Sequence, residues 1–482
     1  MFSMKNQKGL APIIITLIAV IVVILVGLGG WLIFKARQPK PPIEAPEIEK
    51  PKEEKPIVEE APFNLATTKL ATIPEDYEII EGPVFSPDGR KVAYIAKKGN
   101  EYLVAVNGKE EKSYDLAENL IFSPDSKQLA YKAKEGKKWL VVVNGKEGKG
   151  YDSVEDLIFS PNSKQLAYVG GNLVKITEEI EAIGKKFIVI NDKEGKVYES
   201  VADPIFSSDS SRLAYAAREG GEEFVVVNEK EDKGGGYSSV AIPIFSPDSK
   251  RLAYKATKRG GEFIVVDNKE GKSYEDIVLG AIVLNYYERI DTHIAVVFSP
   301  DSKQLAYVVG ETEKESGKEK NFIVINGKEG KRYESIGLPI FSPNNEQLAY
   351  IANDKGRVFI VINGKEGKGY DLALFPVFSP DSKQLAYIAQ EGESAFVIID
   401  GKEDKGYENV GVPVFSSDSK WLAYGAQKAK KQFIVINGKQ GKTYDEISTK
   451  LQFSPGGNYI VYGTKLDNEL WWIVDKVAEF GK

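Results

Sequence analysis

Between positions 286 and 293 the chain gathers two phenols, a guanidinium, a carboxylate and an imidazole: Tyr286, Tyr287, Arg289, Asp291 and His293. His293 is the only histidine of 482 residues, and there is no cysteine. A histidine-dependent triad or a histidine-containing metal site would have to use this one residue, and thiolate chemistry is excluded. Tyrosine and arginine are, by contrast, common anchors of protein interfaces. These five residues are therefore the candidate partner-binding set, and no catalytic or metal-ligating residue is assigned. The plainer alternative is a loop that packs its apolar residues onto the rim of a scaffold.

Other reactive patterns are missing. No G-x-S-x-G elbow and no G-x-x-x-x-G-K-[ST] phosphate loop occurs. The stretch DGKEDKG at 400–406 has Lys402 where a calcium loop needs its third-position oxygen ligand. No cofactor is implied, and a non-enzyme is expected. Carboxylates are abundant, so a glycan lyase or hydrolase working through carboxylates or tyrosines near a channel stays open as the alternative. The chain beyond residue 62 holds 56 basic and 63 acidic side chains. That balance disfavours nucleic acid as a partner.

What would position such residues is a repeat. The decamer FSPDSKQLAY stands at 122–131, 298–307 and 378–387, and degraded copies bring the total to ten. Each copy has a phenylalanine (Phe85 to Phe453) and, nine residues on, a tyrosine (Tyr94 to Tyr462). An Asn or Asp closing an apolar run follows (Asn107 to Asp475), and a further tyrosine series runs from Tyr77 to Tyr444. The basic period is 37 residues, a length typical of stacked or circular repeats. PIFS, QLAY and FIVIN read as short strands, and KxYDxI reads as a fourth. Ser-Pro-Asp-Ser is a turn, and Asn-Gly-Lys-Glu-Gly is a hairpin connection. Four short antiparallel strands per repeat make a propeller blade. The expected fold is all-β, a single propeller of about ten four-stranded blades over residues 63–482. The orphan strand Tyr77-Glu78-Ile79-Ile80 is expected to complete the last blade and close the ring. Two five-bladed rings are the alternative, but the step from Asp267 to Tyr274 that would join them is not lengthened.

FSPDGRKVAY at 85–94 and its nine relatives resemble the WD-like repeat of TolB-type β-propellers. Related blades occur in the propeller domains of prolyl oligopeptidase-like and dipeptidyl peptidase-like proteins. The likeness covers about residues 77–475. It implies that the FS strand is innermost, and it implies little about function, because such blades serve unrelated roles.

The repeat is lengthened by two residues at 229–236 and carries three large insertions. Ten residues are added within 169–187, six near 310–321, and sixteen between Tyr274 and Phe298. If the last lies in the link from strand four to strand one, all three emerge on one face, where loops on a rigid scaffold commonly bind.

Upstream, residues 1–9 form a short tail, and Leu10 to Phe34 runs 25 residues without a charge. As a helix it would rise about 37 Å, enough to cross a bilayer core of about 30 Å. A cleaved signal peptide is the alternative, but this apolar core is longer than such peptides use. Residues 35–62 form a Pro/Glu-rich linker, with seven prolines and seven glutamates in 38–62. It could hold a domain up to about 75 Å away. The expectation is a single-pass membrane protein, anchored through residues 10–34. Its propeller is extracytoplasmic and presents the insertion-bearing face to a protein or surface polymer.

Overall fold

The computed structural model describes residues 66–175, 181–282, 291–294, 296–313, 316–447, 451–454 and 456–480. The anchor segment 10–34 and the linker lie outside these. Among the described residues no helix is long and apolar enough to cross a membrane.

Blade two shows the local logic. Leu116–Phe122 is innermost, followed outward by Leu129–Glu135, Lys138–Val143 and the two-residue strand Lys146–Glu147. The turn between the first two strands is tied by Ser123, whose hydroxyl donates to Asp125 Oδ1 (2.7 Å) and accepts from Gln128 N (2.9 Å). Ser126 sits at φ 64° and closes the turn by donating its N–H to Ser123 O. At the other hairpin Asn144 and Gly145 both have positive φ, 50° and 75°, as a type I′ turn requires. The Asn144 side chain also accepts from Leu129 N (2.9 Å). The same acceptor recurs from Asn107 through Asn437, which explains the Asn/Asp landmark of the repeat.

Ten such sheets follow one another, and each buries its apolar residues against the next. Ala93, Ile95 and Val104 of blade one pack on Tyr114, Leu129 and Tyr131, and the pattern repeats around the molecule. The tenth interface closes the ring, bringing Val461, Leu470 and Trp472 of blade ten onto Phe85, Val92 and Tyr94 of blade one. The interface between blades five and six is packed like the rest, so the chain forms one ten-bladed ring rather than two of five. All ten LAY tyrosines are buried, and all ten FS phenylalanines lie within or against an inter-blade core.

Two expectations are corrected. The closing strand is Thr68–Thr72, which pairs antiparallel with Glu469–Lys476; Tyr77–Ile80 does not close the ring. Glu78–Phe85 is instead the innermost strand of blade one. The reason is shared by every blade. KxYDxI is not one strand: its tyrosine ends the outer edge of one blade, as Tyr151 does against Trp139. The residues after it already run as the innermost strand of the next, as Ser153–Phe159 does.

Two hydrogen-bonded belts run around the ring. On one, Asp88 N donates to Ser126 Oγ of the following blade (2.9 Å), and the bond recurs at eight interfaces from blade one to blade nine. On the other, Lys196 and Tyr198 both reach Glu231 of the following blade, at 2.5 and 2.9 Å. Lys112 and Tyr114 hold Glu147 in the same way, as Lys149 and Tyr151 hold Glu194. The turn carboxyls Asp209, Asp248, Asp301 and Asp381 lie below the ordinary range, chiefly because a serine hydroxyl donates to each; Asp418 falls to about 2 through Ser416. Glu231 also falls to about 2, first through Lys196. Carboxyls depressed in the folded state add stability above their unfolded values of about 4, and that stability is lost as pH falls toward the folded values. The melting temperature should therefore be flat from pH 8 to 5 and drop steeply below about pH 4. A scan that stayed level to pH 2.5 would contradict this.

Candidate functional site

Because the belts consume the chemistry of the repeat, a site must be sought where the repeat departs from itself. The largest departure is in blade six. Its innermost strand is split into Asp276–Ile277 and Val296–Phe298, both paired with Leu305–Thr312. Between them stands a hairpin, Leu279–Ile282 against Asp291–Ile294. Most other blades carry a single bulge residue at this point, such as Asp156 at φ 54° in blade three. The insertion has thus grown out of a β-bulge in the strand that lines the centre of the ring. This corrects the expected placement in a surface link between strands four and one. The returning strand of the hairpin runs beside Ser239–Phe245, the innermost strand of blade five.

Of the five candidate residues, Asp291 pairs with Ile282 and His293 with Gly280 on the hairpin. Tyr286, Tyr287 and Arg289 lie outside the described residues. The other two insertions lengthen the hairpin between strands two and three. In blade three it reaches Leu166–Lys175 and Glu181–Ile190, and in blade six Leu305–Thr312 and Glu319–Ile325. These two hairpins rise on the same face, at the end of the ring where innermost strands begin, since Ser153 pairs with Gly171 and Asp276 with Gly310.

The root of the blade-six hairpin is held by charge. Lys255, buried in blade five, pairs with Glu262 (2.6 Å) and donates to Ile277 O (2.9 Å). Glu262 Oε2 in turn accepts from Ile277 N (2.6 Å). Both backbone groups of the residue just before the insertion are thus fixed by side chains of the preceding blade. Beside it, Gly310 leaves room for Asp276, Glu319 and Asn321; a Cβ there would approach each within 3.2–3.3 Å. Burial raises the Asp276 carboxyl, and nearby Glu262 and Glu319 add to the effect.

The channel-lining strands are also uneven around the ring. Glu81, Glu118 and Glu155 occupy one repeat position in blades one to three, where blades seven to nine have Gly337, Leu374 and Gly411. Glu118 pairs with Lys132 (2.6 Å) and Glu155 with Lys186 (2.7 Å). Burial raises the Glu81 carboxyl, the direction an acid catalyst needs. Its two oxygens, however, accept Leu120 N (2.7 Å) and Asn119 N (2.8 Å), so it is engaged in joining blades one and two. Among the described residues no group of three His, Cys, Asp or Glu could hold a metal ion.

The fold and its site define a ten-bladed β-propeller with decorated blades. No family model matches the chain, and no curated protein matches it. Among solved structures it is similar to TolB from Acinetobacter baumannii, at 12% identity and TM-score 0.26, covering 65% of this chain and 80% of that one. It is also similar to the β-propeller domain of the Trilobed protease from Pyrococcus furiosus, at 15% identity and TM-score 0.29, covering 69% and 96%. Acylaminoacyl peptidase from Pyrococcus horikoshii gives 13% identity and TM-score 0.28, covering 62% of this chain and 56% of the peptidase. The ten-bladed ring stands on the pairing and packing described above.

Lys132, Lys255 and Glu262 were not singled out from sequence. The signal was there: a lysine follows the LAY tyrosine in blades two and five, where the pattern otherwise calls for an apolar or small residue.

Proposed function

We propose that the protein is a membrane-anchored, extracytoplasmic propeller that binds a protein or surface polymer through its insertion-bearing blades, without catalysis. The observation that carries this reading is the hairpin that interrupts the channel-lining strand of blade six, with its root fixed at Ile277. A rigid scaffold that invests in a fixed, non-repeating element at its centre favours recognition. Tyr286, Tyr287, Arg289, Asp291 and His293 are the proposed contact residues on it. The anchor rests on the uncharged run Leu10–Phe34.

The test replaces residues 279–295 with one aspartate, the residue blade three has at its bulge, so that the strand is continuous. Intact and replaced proteins are used as bait on envelope fractions and on immobilised polysaccharides. Binding lost only in the replaced protein is expected. Equal capture by both would remove the hairpin from the function, and cleavage of a polysaccharide would favour the glycan-enzyme reading instead.

A further inference from the structure

Lys132 and Lys255 are the two lysines that are buried among the described residues. They occupy the same repeat position, one residue after Tyr131 and Tyr254. At that position other blades have Ile95, Val169, Ala216, Val308, Ile351 and Ile388, and the last two have glycine. A buried ammonium is costly unless it is paired and hydrogen-bonded, so its presence at an otherwise apolar position calls for a local reason. Both lysines make the same reach. Lys255 donates to Ile277 O of blade six (2.9 Å), and Lys132 donates to Val154 O of blade three (3.4 Å). Val154 and Ile277 are equivalent, each pairing two residues beyond the LAY tyrosine of its own blade. Each lysine is charge-paired within its own blade, with Glu118 and Glu262 respectively, at 2.6 Å in both cases. Blades three and six, to which they reach, are the two that carry the large insertions.

We infer that Lys132 and Lys255 are positioning residues that lock the innermost strands of blades three and six to their preceding blades, so that the inserted hairpins stand at fixed places. The inference deepens the binding reading and rests on it for its purpose. The geometry explains why the charge is needed. In blade six the hairpin interrupts the innermost strand itself, and in blade three the strand that bears the hairpin, Leu166–Lys175, is paired with the innermost strand, so a hold on that strand reaches the root of each insertion. A lysine that bonds the strand's carbonyl while its glutamate bonds the amide, as at Ile277, resists sliding of that strand along its neighbour. An apolar side chain at the same place gives burial but no directional hold.

The test is segment-resolved amide hydrogen exchange on the full chain at pH 7. Lys255→Met is expected to speed exchange at least tenfold in 276–282 and 291–298 and to leave 153–175 unchanged. Lys132→Met is expected to do the reverse. Lys255→Arg, which keeps charge and donors, should restore most of the protection. If Lys255→Met does not fold, Glu262→Gln carries the same expectation in weaker form. Uniform acceleration throughout the ring, or no local change in either variant, would overturn the assignment and leave two ordinary core lysines. Failure of the binding reading shows separately, as equal capture by the intact and hairpin-replaced proteins.

Discussion

A chain that begins at residue 75 should form a destabilised ring with an open tenth blade. Thr68–Thr72 contributes the outermost strand of that blade, with Thr68 opposite Trp472 and Thr72 opposite Glu469. Ala71 and Ile73 are buried in the closing core, and Ile73 N donates to Asn468 O (2.8 Å). Their removal forfeits the apolar burial and strips the edge of Glu469–Lys476 of its partners. Losing an isoleucine's burial and several ladder hydrogen bonds costs about 5 kcal/mol in all. An exposed edge also invites pairing between molecules. The expected result is a lower denaturant midpoint together with concentration-dependent association on gel filtration. A peptide of residues 66–74 added in trans should reverse both. An unchanged midpoint would mean that the ring is held shut without this strand.

The same strand marks what sequence reading could reach. The blades were legible because the repeat is dense: turn residues, apolar runs and two tyrosine series recur at fixed spacing, and each answers a geometric need met in every blade. Thr68–Thr72 was not legible, since a strand that completes another repeat's sheet carries none of that repeat's landmarks. Nor was the split between Tyr151 and Ser153, because a link this short reads as one strand when only the pattern is seen. The insertions were found as surplus length. Their placement was not, because a hairpin grown from a bulge after position 278 and one grown from a surface link have the same spacing between Tyr274 and Phe298. The mixed charge of the KEGK hairpin tips suggests, by itself, no more than a solvated surface. Glu147, Glu194 and Glu231 turn out to join neighbouring blades, a role that exists only once the ring places blade next to blade.

Trp472→Ala should cost about 4–5 kcal/mol, the upper part of the range for a buried tryptophan. The side chain is 2% exposed and its ring lies 6.1 Å from that of Phe85 across the closing interface. Its weight comes from what this interface lacks. Eight interfaces have a turn-to-turn hydrogen bond to a serine or asparagine. At the two interfaces flanking blade ten that residue is Gly457 or Gly89, which has no side chain to accept one. The glycine at 89 is required by the tryptophan itself: a Cβ there would lie 1.9 Å from its indole ring, and φ is 69°. Hydrogen bonding was exchanged for apolar packing at the seam. A double-mutant cycle tests the exchange. Gly89→Ser alone should be strongly destabilising, because it meets the indole. In the Trp472→Ala background the same substitution should be far milder, since the space is vacated and every other blade but the tenth carries serine or asparagine there at a similar positive φ. Additive effects in chemical denaturation would show that Gly89 and Trp472 do not share the seam.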